Sequence, residues 1–424
     1  MNTIPGVHRT PNHSTFASAG VLLLVAMSAW ATTPVEVAKL VAEDGAANDF
    51  FGFSIALSDD TALIGALRDD DNGVDAGSVH VLTRIGNSWS QQAKLTAADG
   101  AAGDEFGGNV ALDGDVAVIG ARHDDDKGAS SGSTYVFTRS GTDWNQQAKL
   151  IASDGEAGDE FGYSVAISSD TAVIGAPRDD DKGDDSGSAY VFTRSGDTWR
   201  QQAKLTATDG ADGDVFGISV AVSGDTVVIG ADLADEKGRN SGAAYVFTRS
   251  GNTWSQQVKL TANDGAEGDL FGIRVTLSGD TAVIGAARED GKGEDSGAAY
   301  VFVRSGSTWG QQAKLSAADG AAHDRFGTRV ALHGNSAVIG SILDDAMFEN
   351  SGSTYLFTRS GSRWSQQAKL TASDGAADDV FGWSVSLYGD TVFIGAPTSI
   401  ITSPGGTGSA YVFEISHNED IDQD

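Results

Sequence analysis

The 424-residue chain has no cysteine, which excludes a disulfide framework, a thiolate metal site and lipid attachment through sulfur. A core buried by a chain of this length does not need disulfides. Cationic residues are scarce: 28 Lys and Arg stand against 59 Asp and Glu, a formal net charge of −31. Such a surface repels polyanions, which argues against nucleic acid and anionic membrane as partners and favours solubility, cation binding and a monomeric state. Long apolar runs are missing too, except for Ala17 to Ala29, which falls short of the roughly 20 residues of a membrane span. That run follows a polar start containing Arg9 and precedes Ala29-Trp30-Ala31, the pattern of a secretory signal peptide over residues 1–31. The expectation is an exported protein, secreted, periplasmic or at the cell surface, without membrane insertion.

What fills the rest is repetition. A Phe-Gly pair recurs at Phe51, Phe106, Phe161, Phe216, Phe271, Phe326 and Phe381, always 55 residues apart. Within the unit no apolar run is long enough in a 3.6 period for a helix, and four runs of strand length are separated by turn signals. In the third copy they are Phe161 to Ile167, Thr171 to Ala176, Ser188 to Arg194 and Trp199 to Leu205. The second run is apolar throughout, as in a strand buried on both faces. Gln201, Gln202 and Lys204 give the fourth the look of a water-facing edge. Four antiparallel strands repeated seven times predict an all-β, seven-bladed β-propeller over residues 32–417, with an acidic tail at 418–424. Ala38-Lys39-Leu40 matches the end of a fourth strand, and the seventh copy lacks one. The N-terminal strand is therefore expected to close the last blade.

Alternating strands bring the second-to-third-strand loop and the blade-to-blade connection to one face, and both are acidic. The connection, Asp-Gly-Ala-x-x-Asp in outline, keeps both Asp positions in all copies, from Asp44 and Asp49 to Asp374 and Asp379. The loops of the first and third blades alternate Asp around a Gly: Asp69, Asp71, Gly73, Asp75 and Asp179, Asp181, Gly183, Asp185. Asp124 and Asp126 follow the same order in the second blade. Calcium takes six to eight oxygens from such carboxylates at a Gly-relaxed turn, so these eight Asp are the candidate ligands of a calcium ion. Turns alone also favour Asp, Asn and Gly, and for the blade-to-blade connection that explanation leads. The recurring Trp89, Trp144, Trp199, Trp254, Trp309 and Trp364 read as packing against the neighbouring hairpin rather than as sugar platforms.

Departures from the repeat mark candidate partner sites. The sixth blade replaces the acidic loop with Asp344-Asp345-Ala346-Met347-Phe348-Glu349, and the seventh carries Ile400 and Ile401 in an uncharged one. Met347, Phe348, Ile400 and Ile401 either form an apolar notch for a protein or glycan partner or fold inward over the closure seam.

With Phe-Gly opening the first strand and Val-Ile-Gly-Ala-Pro closing the second (Val173 to Pro177), the repeats resemble FG-GAP repeats over residues 35–415. The chain is more similar to the exported bacterial members than to the integrin alpha head. The resemblance implies extracellular binding or adhesion, often with calcium. Integrin-type propellers hold calcium between the first and second strands, where this chain has only Ser223-Gly224-Asp225 or its equivalents, so those ligands have no counterpart here.

The expected function is a non-catalytic, exported binding or adhesion module. Two alternatives are an extracellular hydrolase or lyase on a propeller fold and a structural surface or matrix component. Against an enzyme, His80, His123, His323, His333 and His417 are scattered, and no Gly-x-Ser-x-Gly motif is present.

Overall fold

The second strand of each blade, such as Thr171–Ala176, is buried along its length, with Ser336 in the sixth blade alone partly open, because sheets cover it on both faces. The computed structural model describes Met1 and residues 33–397 and 406–416. The signal segment beyond Met1, Ile400, Ile401, His417 and the 418–424 tail lie outside the described residues. Seven four-stranded antiparallel sheets form, six of them with strands in chain order from the axis outward, and no helix occurs among the described residues. The protein is a seven-bladed β-propeller.

The last sheet is completed from the other end of the chain. Thr33–Leu40 pairs antiparallel with Ser409–Ser416, from Thr33 opposite Ser416 to Leu40 opposite Ala410, and so becomes the outer strand of the seventh blade. Phe51 N donates to Thr407 O (3.0 Å), which joins the first blade to the seventh.

The innermost strand of the third blade begins at Ser164, three residues later than the sequence pattern suggests. Glu160 (φ 54°) and Gly162 (φ 96°) take left-handed backbone on either side of Phe161, and this turn delays the ladder. Its purpose is inter-blade contact. Phe161 N donates to Ser131 O of the preceding blade (3.0 Å), while the Phe161 ring packs edge-on against Tyr190 and Phe192. The apolar core is not inside the blades but between them: one cluster joins Val173, Val191 and Leu205 of the third blade to Phe216, Ile229 and Tyr245 of the fourth.

The outer strands carry a β-bulge at the same place in each blade. In the third, Val191 faces Ala203 and Phe192 faces Gln201, so Gln202 has no opposite number. The bulge turns Gln202 sideways, where its Oε1 accepts from Trp254 Nε1 of the next blade at 2.7 Å. Trp144, Trp199, Trp309 and Trp364 make the same bond to Gln92, Gln147, Gln257 and Gln312. The first glutamine of each pair also crosses, with Gln201 Oε1 accepting from Ser153 N of the preceding connection (3.0 Å). The fourth strand is thus not simply a water-facing edge. Its glutamines join blades, and the Trp residues pack against the neighbouring blade as the sequence suggests.

Because a buried indole N–H without an acceptor is costly, Gln202→Met or Trp254→Phe should each destabilise the protein by about 1–2 kcal/mol. In chemical unfolding the double variant should lose clearly less than the sum of the two. Additive losses would show that the two side chains do not act as a pair.

Candidate binding face

The second-to-third-strand loops and the blade-to-blade connections do share one face: Gly213 N donates to Asp184 O (2.8 Å) and Phe216 N to Ser186 O (3.0 Å), each across a blade boundary. On this face the acidic residues are gathered, and a lysine ammonium lies among them. Lys204 Nζ is 2.8 Å from Asp154, 2.8 Å from Asp179 and 2.5 Å from Asp181. Lys149 holds Asp99, Asp124 and Asp126 in the same way, and Lys94 holds Asp44, Asp69 and Asp71. Lys259, Lys314 and Lys369 each hold two acidic groups, and Lys39 holds Asp374 in the closing blade.

The strand order explains the geometry. Lys204 sits on the outer strand opposite Tyr190, and its Nζ lies 5.2 Å from the centre of the Tyr190 ring. Asp179 stands at the root of the loop above it, almost fully buried. Its Oδ1 accepts from Asp181 N (3.2 Å) and Ser188 Oγ (2.9 Å), and its Oδ2 accepts from Tyr190 Oη (2.8 Å) as well as from lysine. Burial alone would lower the Lys204 pKa, but Asp154, Asp179 and Asp181 more than reverse this and hold it well above its ordinary value. Hydrogen bonding from Lys94 holds Asp44 below the usual carboxylate range, and Lys39 does the same for Asp374.

Six of the eight candidate calcium ligands therefore meet in pairs around an ammonium: Asp69 with Asp71 at Lys94, Asp124 with Asp126 at Lys149, and Asp179 with Asp181 at Lys204. Asp75 (φ 54°) and Asp185 (φ 51°) are brought to none of these cages. They adopt the left-handed backbone that Asp and Asn tolerate, and their N–H groups bond to Asp70 and Asp180, both at 2.8 Å. Among the described residues no three His, Asp or Glu side chains are grouped to hold a metal. The donor set fits an ammonium rather than calcium, because the buried carboxylates already have their hydrogen-bond donors and a cation between them.

The second Asp of each connection plays another part. Asp159 Oδ2 accepts from Glu156 N (2.8 Å), closing the turn, and the other six copies repeat the bond. Burial raises the pKa of these carboxyls, to about 6 at Asp159 and at Asp269, with neighbouring acidic groups adding to the effect. Asp49, Asp104, Asp214, Asp324 and Asp379 shift the same way.

Met347 and Phe348 are exposed, at 46% and 53% of their full area, and do not fold inward. Ile400 and Ile401 lie outside the described residues. Sequence reasoning missed the lysines as the centre of the acidic face, although an Ala-Lys-Leu or Val-Lys-Leu at the end of each outer strand was the available signal.

A seven-bladed ring with one loop-rich face is the fold of a binding or adhesion-type module. The model of the FG-GAP repeat matches the chain seven times, over residues 34–82, 89–137, 144–192, 199–247, 254–302, 309–357 and 364–413, and the chain belongs to this family. Propellers of the family are typically non-catalytic. Comparison with curated proteins finds no match.

Two outcomes follow. Folding raises the pKa of the seven turn carboxyls above the unfolded value, so the native state binds more protons between pH 7 and 4 and gains stability as pH falls through that window. Asp44 and Asp374, shifted downward, lose their contribution only as pH falls below the ordinary carboxylate value of 3.8. Burial lowers the pKa of His80, so this one group opposes the gain below its unfolded value of 6.5. The thermal midpoint should be higher near pH 5 than near pH 7.5 and fall again in stronger acid; a steady decline from neutrality would contradict the assignment. Calcium, titrated against magnesium at fixed ionic strength, should not raise the midpoint selectively, and a calcium-specific rise would restore a metal site on the loop face.

Proposed function

We propose that the protein is an exported, non-catalytic binding module that takes a protein or glycan ligand on its loop face, beside the sixth blade. The observation carrying this is a loop that keeps the bonds closing its turn while its side chains are changed. Met347 N bonds to Ser351 Oγ (3.3 Å) as Lys127 N bonds to Ser131 Oγ (3.0 Å) and Lys182 N to Ser186 Oγ (3.1 Å). Ser351 N also donates to Phe348 O as Ser131 N does to Gly128 O (both 3.0 Å), yet Met347 stands where the second and third blades have lysine, and Phe348, without the left-handed φ of Gly128 and Gly183 (133° and 142°), stands where they have glycine. Neither apolar side chain is covered, and the frame does not need them. An exposed apolar pair within an acidic rim supports an interaction site, since anchoring residues of interfaces are apolar or aromatic within a polar surround. The apolar segment Ala17 to Ala29 supports export.

The test replaces the pair with the residues of the sibling blades. A Met347→Lys, Phe348→Gly variant should keep the thermal midpoint and bind about tenfold more weakly to whichever immobilised glycan or purified surface protein retains the wild type. Undiminished binding by the variant, or no retention of the wild type on either array, would overturn the reading.

A further inference from the structure

The seven innermost strands enclose an axial cavity of about 570 Å³. At the second residue after each Phe-Gly, four blades carry serine and one asparagine, all engaged with neighbouring backbone. Ser54, Ser164 and Ser384 donate to Gly107 O, Gly217 O and Gly52 O (2.7–2.8 Å), while Ser219 and Asn109 accept from Val275 N and Val165 N (3.1 and 3.2 Å). The fifth and sixth blades place Arg274 and Arg329 there instead, and both line the cavity. Among the described residues their side chains donate only to backbone carbonyls, Ile273 O at 2.8 Å and Thr328 O at 3.0 Å. Neither has a carboxylate within ion-pair distance among the described residues.

This contrasts with Arg122 at the same cavity, which holds Glu105 through Nε (3.0 Å) and Nη2 (2.6 Å). Arg329 is half-buried in the cavity wall. This burial, with the charge of Arg274, pulls its pKa well below the ordinary guanidinium value. Two further groups lining the cavity lack partners: Trp383 Nε1 and Asp232 Oδ1 are buried without a hydrogen bond. Arg329 lies over the Trp383 ring at 5.1 Å, and Phe53 packs beside that ring at 5.4 Å.

We propose that the axial cavity binds a carboxylate-bearing sugar, with the Arg274 and Arg329 guanidiniums taking the carboxylate. Guanidinium pairs suit planar carboxylates, and the cavity falls within the roughly 300–1,000 Å³ of small-molecule sites. Trp383 and Phe53 offer apolar ring surface, Trp383 Nε1 offers a donor and Asp232 Oδ1 an acceptor for hydroxyl groups. Sulfate or phosphate has no hydroxyl-rich ring to satisfy Asp232 and gains nothing from the aromatic pair. A sugar acid uses all four features. The site is separate from the sixth-blade rim and does not depend on it.

Isothermal titration calorimetry on the purified protein tests this with D-glucuronate, D-galacturonate and short oligomers of galacturonate, against D-glucose and sulfate. The uronates should bind, with glucose and sulfate about tenfold weaker or more. Arg274→Ser with Arg329→Ser restores the residue of the sibling blades and should abolish uronate binding while the thermal midpoint is kept. Arg329→Lys keeps the charge but loses the planar fork, and should fall between. Absence of uronate binding by the wild type, unchanged binding by the double Ser variant, or sulfate binding as tight as any uronate would each overturn the proposal. The Met347→Lys, Phe348→Gly protein should bind uronate like the wild type, so failure at the rim and failure at the axis are told apart.

Discussion

Adjacent blades meet backbone to backbone near the axis, and the ring depends on that approach. The carbonyl oxygen of Gly217 occupies the space where residue 175, in the blade before, would carry a Cβ. Any side chain at Gly175 would hold the blades apart, and the same contact recurs at Gly65 with Gly107 and at Gly395 with Gly52. Gly217 itself adopts φ 97°, open to glycine and strained for other residues. The repeated Phe-Gly and Gly-Ala pairs are thus the two sides of one joint. Close approach there lets Phe216 reach the apolar cluster between the third and fourth blades and sets the reach of the outer Trp–Gln bonds.

Charge is the second constraint. A chain at −31 must bring many carboxylates to one face, and it does so by placing a cation beneath them. The lysines work at the blade boundary: Lys204 ties Asp154, in the connection before its blade, to Asp179 and Asp181 in the loop of its own. Where the pattern lapses, its parts are left with less. In the fourth blade Ala234 replaces the buried Asp, Lys259 turns to Asp209 and Glu236, and the Tyr245 hydroxyl has no hydrogen-bond partner. Two charged groups facing each other across a joint also explain why so acidic a surface need not drive the blades apart.

Blade number, strand order and the borrowed closing strand were legible in the sequence because repetition averages away local ambiguity. An apolar run read seven times at one spacing leaves few alternatives. The part played by Gln202 was not legible, because a bulge changes which way a side chain points without changing composition. Lys204 lies on an outer strand and Asp179 in a loop 25 residues before it, so their contact depends on hairpin register. Asp75 and Asp185 matched an alternating ligand pattern, but left-handed turns ask for the same residue type. Arg274 and Arg329 stand in the sequence as departures from Ser, yet only the convergence of the inner strands shows that they share one cavity.

The closing strand has a kinetic meaning. Thr33–Leu40 pairs with residues near the far end of the chain, so this contact has the largest sequence separation in the molecule's sheets. Its backbone can find no sheet partner until Ser409–Ser416 is available, and through that interval Val35 and Val37 belong to an unpaired strand. Most other joins link a blade only to its successor, so the arc can grow in one direction as the chain is delivered. The final join is then a search by a tethered end across the whole assembled arc, which makes ring closure the slow, aggregation-exposed step of folding.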